Sequence, residues 1–330
     1  MGKKHHNSLL SPWQKLIAIL NFERVTINYV FFYAILIGFV GMTLPLGGTA
    51  VYNLLSNGAI FSSTYILIGA VLLGVVVGGI LLIGQLKLVE SIEQRIFTRT
   101  SIEFAFRLPR IKKTELEGEH PPELVNRFFD ILTIQKGLVK LLVDIVAASV
   151  TILFSAVLLA FYHPVFIGFG IVTIMAIVLV LALYYKRGLT TSIEESEYKY
   201  ELVGYLEEVA SNLDQYRGKE QKDSIIHNAD KITSKYLHAR NSHFSVLKKF
   251  FGSAVILRTV LMGALLLLGS YFVVNREMTL GQFVAAEVII VQISYAIEKL
   301  MTGMNTIFDM VTGSEKLAVV TELELEEENH

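Results

Sequence analysis

The sequence predicts an all-α polytopic membrane protein, with six transmembrane helices that have long cytoplasmic extensions. Three observations carry that expectation. First, 53% of the 330 residues are hydrophobic and 18% charged, against roughly 45–50% and about 25% in soluble domains. Second, the apolar residues gather in runs of about 20, enough to cross roughly 30 Å of hydrocarbon. Third, the 29 Lys and Arg residues lie almost entirely on one side of those runs. A soluble enzyme, a nucleic-acid binder and a disordered chain are thereby excluded. The net charge of −1 is uninformative, because the charges are segregated. With no cysteine, disulfides, thiol catalysis and thiolate metal sites are excluded.

The N-terminal approach comes first. Ser11–Pro12–Trp13–Gln14 places a Ser at a helix N-cap, Pro at the first helical position and Gln three residues after the cap. Leu9, Trp13, Leu16, Ile17 and Leu20 then share one face, which reads as a short interfacial helix with a Trp anchor. The spans follow at 25–46, 64–84, 141–162, 164–185, 253–274 and 282–297. The first is too long for a signal peptide. The sixth is the weakest, because Glu287 interrupts it. Gly74 and Gly78 in the second span permit close helix approach.

Basic residues orient the spans. Four precede the first span, ten lie between the second and third, and twelve lie from Lys186 to Arg258. Lys299 and Lys316 follow the sixth, and only Arg276 falls on the other side. Excess basic charge marks the cytoplasmic face. Both termini are therefore expected in the cytoplasm, as an even number of spans requires.

External connections are short: 47–63, a His163–Pro164 corner and 275–281. The internal ones, 85–140 and 186–252, are long, and apolar residues recur among their charges. Spans two to five are therefore expected to continue as helices into the cytoplasm. A 25-residue extension reaches roughly 37 Å. Glu119–His120–Pro121–Pro122 breaks the first hairpin; weaker breakers at Gly204, Ser211–Asn212 and Gly218 break the second.

Four local stretches, in order, resemble the transmembrane domain of an exporter-type ABC transporter. His120–Arg127 (HPPELVNR) is similar to the segment after the family's first coupling helix, with Pro122 in place of the usual Gly. Glu201–Leu213 (ELVGYLEEVASNL) resembles the second coupling-helix region, and Met278–Ala286 (MTLGQFVAA) the opening of helix six. Glu315–Leu317 and the acidic tail resemble the linker into a nucleotide-binding domain. The division implied is an elbow region at 1–22, a six-helix domain at 23–312 and an acidic linker at 313–330. No G-x-x-x-x-G-K-[ST] phosphate loop occurs, so the chain itself is expected to carry no cofactor. ATP and Mg belong on a separate or downstream ATPase domain. The expectation is a half-transporter lacking its nucleotide-binding domain, although a stand-alone permease remains open.

The resemblance further implies a homo- or heterodimer of transmembrane domains, whose fourth and fifth helices reach across to the partner. It implies ABC ATPase domains as partners, docked at Glu119, His120 and Pro121 and at Tyr205, Leu206, Glu207 and Glu208. Helix six resembles type I secretion transporters, implying a peptide or protein substrate and a membrane-fusion protein as a further partner. The expected location is the inner (cytoplasmic) membrane.

Glu287 is the sharpest single residue. A carboxylate within a span costs several kcal/mol unless paired, protonated or wet. At about 100° per residue, Ser294 and Glu298 lie about 20° to either side of it, with Asn305 directly below. That polar line predicts the wall of a water-filled translocation pathway. The competing reading pairs Glu287 with Arg276 or in a helix–helix hydrogen bond. Asp144 is expected to pair with Lys140 one turn away, and Arg258 to snorkel to the cytoplasmic interface. An ATP-independent channel or scaffold is the alternative function.

Overall fold

A computed structural model describes residues 11–55, 62–115, 121–214 and 219–326. All six expected spans fall in helices long and apolar enough to cross a membrane.

The elbow helix α1, Pro12–Asn21, carries the expected cap: the Ser11 amide donates to Gln14 Oε1 at 2.7 Å, and Ser11 Oγ accepts from the Gln14 amide. Leu16 is fully buried, with Trp13 and Leu20 packed on the same cluster. Ile17 departs from expectation and points outward. The Trp13 indole donates to the Tyr185 hydroxyl, so the anchor holds protein as well as interface.

The first span is α2, Arg24–Gly41, followed by α3, Thr43–Leu55. Residues 47–55, expected in an external loop, are helical. Pro45 explains the joint at Met42: it has no N–H to donate to the Gly41 carbonyl, so the helix breaks there and resumes.

Helix α4, Ser62–Arg107, runs 46 residues and stops in a 3-10 turn at Leu108–Arg110, where Pro109 interrupts the ladder. After α5, Pro121–Asn126, the chain returns through α6, Asp130–Val139, a π-helical turn at Lys140–Ile145 and α7, Val146–Tyr162. Pro121 opens α5, where its missing N–H is harmless.

Beyond the His163–Pro164 corner, α8, Val165–Ser211, and α9, Lys219–Val274, run 47 and 56 residues. The long extensions are thus continuous with the spans. Gly204 does not break the second hairpin; it lies inside α8, which ends at Ser211. A left-handed Arg276 (φ 63°) closes α9: its amide donates to Val273 and that of Glu277 to Phe272, a Schellman closure.

Helix α10, Leu280–Thr321, sits at the centre and touches α1, α3, α4, α6, α7, α8 and α9. It contributes to both apolar cores, one among α7–α10 and one among α1, α4, α6 and α10. Within this chain α8 and α9 fold back on α7 and α10, around Phe250, Leu265, Ile289 and Phe308.

Candidate functional site

Helix α10 is covered on most sides but leaves one arc open across the membrane. Glu287, Val288, Tyr295, Glu298, Lys299 and Thr302 are exposed, whereas Ile289, Ile290, Ile293 and Ile297 are fully or almost fully buried. At about 100° per residue the open side covers about 120° of the helix. The line drawn from sequence lies at its edge. Ser294 is 2% exposed and its hydroxyl donates to the Ile290 carbonyl at 2.8 Å, so it sits on the covered side. Asn305 is half-buried lower down and reaches His243 and Asp309. Glu287 and Glu298 share the arc with Tyr295 and Thr302, and Tyr295 had no signal in the polar pattern.

Glu287 has no hydrogen-bond or ion-pair partner among the described residues, so pairing with Arg276 does not occur within the chain. Three turns lower, Glu298 lies 3.6 Å from the Arg258 guanidinium, which also sits 5.5 Å over the Tyr295 ring. Arg258 therefore does more than snorkel: it crosses from α9 to α10. Beside it, Asp144 accepts from Lys140 at 2.9 Å, as the i,i+4 spacing predicts, and from Lys299 at 3.1 Å. These charges mark one edge of the apolar zone.

Of the residues expected at the ATPase-facing tips, Glu119 and His120 lie outside the described residues, and Pro121 is described only as the start of α5. Tyr205, Leu206, Glu207 and Glu208 lie on the last turns of α8, just above its end. Leu206 is 50% exposed, and Glu208 is exposed too. The Tyr205 hydroxyl donates to the Ile225 carbonyl at 3.3 Å, tying α8 to α9. Glu207 accepts from the Asn126 amide of α5, so the two hairpin ends are joined to each other.

The ABC transporter transmembrane region family matches residues 27–297, most of the chain. The chain belongs to that family. No curated protein is similar enough in sequence to match it. As an ABC transmembrane region it is the multi-pass permease part of a transporter, and the family works with ABC ATPase domains.

In this ABC transmembrane region the tail expected as a linker begins as the last turns of α10. Beyond them Leu325 pairs with Ile111 in an antiparallel bridge, and Lys112 Nζ lies 2.7 Å from the Glu324 carboxylate. The end of helix six is thereby strapped to the end of α4.

One further polar cluster joins the extensions. His243 of α9 is fully buried; its Nδ1 lies 2.9 Å from Thr191 Oγ1 of α8 and its Nε2 3.3 Å from Asn305 Oδ1 of α10. Ser192 and Thr312 meet at 3.0 Å, and the Tyr200 hydroxyl donates to Asp130. They flank a polar cavity of about 190 Å³ that also takes in Glu195, Arg240 and Asp309. Burial pushes the Asp309 carboxyl above its usual range, partly offset by His243 and reinforced by Glu195. Burial raises Asp130 likewise, against the opposing Tyr200 hydrogen bond. Sequence reading passed over His243, because a lone His carries no spacing signal; only the crossing of three helices gives it partners.

Proposed function

We propose that this permease is the translocation unit of an ATP-driven exporter in the cytoplasmic membrane, with both termini inside. Two such domains, identical or different, enclose a path walled by the open arc of α10 and alternate between inward- and outward-facing states. The joined hairpin ends around Tyr205–Glu208 and residues 113–121 dock on ATPase domains that bind ATP and Mg. A membrane-fusion protein is a further partner of the secretion-like reading.

One observation carries this proposal. Among the described residues, the helix most enclosed by the bundle leaves uncovered the membrane-depth face that bears free carboxylate, while the other uncovered faces are largely apolar, aliphatic and aromatic. A carboxylate against lipid is too costly to keep, so that arc faces water.

The native chain has no cysteine, so each introduced thiol is the sole target of a membrane-impermeant reagent. Val288→Cys and Thr302→Cys should be labelled, and Leu73→Cys on α4 protected. With the ATPase domains present, ATP should change the labelling rates. Protection at all three positions would sink the pathway. Labelling indifferent to ATP would favour the ATP-independent channel.

A further inference from the structure

The open arc of α10 carries information about what passes it, provided that it faces the pathway as proposed above. Two carboxylates stand on it, Glu287 and Glu298, about 16 Å apart along the helix. They differ in occupancy. Glu298 and Tyr295, one turn apart, hold the Arg258 guanidinium between them: 3.6 Å from the carboxylate and 5.5 Å from the ring centroid. A delocalised organic cation is thus already seated on this wall, and it is tethered to α9. The seat is not buried, since the Arg258 and Glu298 side chains are 48% and 53% exposed. Glu287 has the same charge and no partner among the described residues, with Val288 exposed beside it.

Chemistry narrows the occupant. An unpaired carboxylate in a low-dielectric wall attracts cations and repels anions. An exposed aromatic face adds attraction for weakly hydrated, delocalised cations over strongly hydrated ones. Aliphatic neighbours favour an apolar body around the charge. We propose that the arc is a selectivity surface for apolar organic cations. They bind first at the Tyr295–Glu298 seat in competition with Arg258 and then at the open Glu287 nearer the outside. Arg258 acts as a tethered stand-in that keeps the seat neutral when no substrate is present.

The test is equilibrium binding of tetraphenylphosphonium to the full chain in lipid nanodiscs, with empty nanodiscs as the blank. Tetraphenylborate, of the same shape and opposite charge, is the control. The phosphonium should bind saturably, and the borate should neither bind above the blank nor displace it. Glu287→Gln and Tyr295→Leu should each weaken binding about tenfold, and Arg258→Gln should tighten it about tenfold by emptying the seat. The gain in Arg258→Gln guards against misreading a variant that merely folds poorly. Equal binding of both ions, or no tightening in Arg258→Gln, would overturn the proposal. Labelling of Val288→Cys separates the two failures. If that thiol is labelled but charge is not discriminated, the cation selectivity fails and the pathway stands. If it is protected, the pathway itself has failed.

Discussion

Helices α4 and α10 both cross the membrane, yet they are built on opposite plans. The most apolar stretch of α4 has a mean hydropathy of 3.0 and none of it is buried within the chain; that of α10 has 1.6 and half is buried. Helix α4 holds to α2 and α3 by a narrow seam. A Cβ at Gly74 would stand 2.5 Å from Thr43 Oγ1, and one at Gly84 2.7 Å from the Tyr33 ring. Most of the rest of its apolar stretch is turned outward, including Leu72, Leu73, Val75 and Val76. Helix α10 reverses this, with an apolar back wrapped by its neighbours and a polar arc left open. Exposure alone therefore does not mark a functional face in a membrane protein. Lipid covers an apolar surface without cost, so the informative surface is the one that lipid cannot cover.

The sharpest way to break this contrast is truncation. Phe308 of α10 is fully buried against Tyr185 and Phe250, so Phe308→Ala should cost about 3–5 kcal/mol. Leu73→Ala on α4, with its side chain turned towards lipid, should cost under about 0.5 kcal/mol. The single Trp13, in contact with Tyr185, reports unfolding in mixed micelles. Similar costs for the two would erase the distinction.

Charge insertion ranks next. Leu73→Lys should disfavour membrane insertion by about 2.5–3.5 kcal/mol, and, with the arc facing water as proposed, Val288→Lys by well under half as much. The inserted fractions of the two variants read this directly. Smaller again is Gly188→Ala, since a Cβ there would run into the Phe308 ring. Overpacking should destabilise by about 1–3 kcal/mol, and restoration of stability by a smaller residue at 308 would confirm the contact.

The smallest effect is titration of the α10 extension. Burial raises the Asp309 pKa, so the folded chain holds this proton to higher pH than the unfolded chain does. Stability tied to the site is therefore highest in acid and falls as pH climbs out of the ordinary carboxylate range. Asp309→Asn should remove that fall. Its melting temperature at pH 7.5, relative to pH 5, should improve on the parent's by roughly 1–2 °C; a wider gap would contradict the burial account.

Much of the fold was legible because its signals are local. Length and apolar content place a span without knowledge of its neighbours, and capping at Ser11 is settled within four residues. The Lys140–Asp144 pair follows from one turn of helix. What escaped was set by crossings. Lys299 joins Asp144 across 155 residues, Asn126 meets Glu207 across 81, and His243 finds Thr191 and Asn305 on two other helices. Helical periodicity placed Ser294 beside Glu287, but the way α10 packs turned it inward.

The sequence by itself determined that this chain spans the membrane six times, that its long hairpins extend the spans, and that one carboxylate stands at membrane depth in the sixth. These follow from the length of apolar runs and from the cost of charge in hydrocarbon, which act residue by residue. The tertiary structure decided which side of α10 stays open, that Arg258 reaches Glu298 and Tyr295 below Glu287, and that the two hairpin ends meet through Asn126 and Glu207. These depend on which helices touch, and such contacts join residues far apart in the chain whose spacing carries no period.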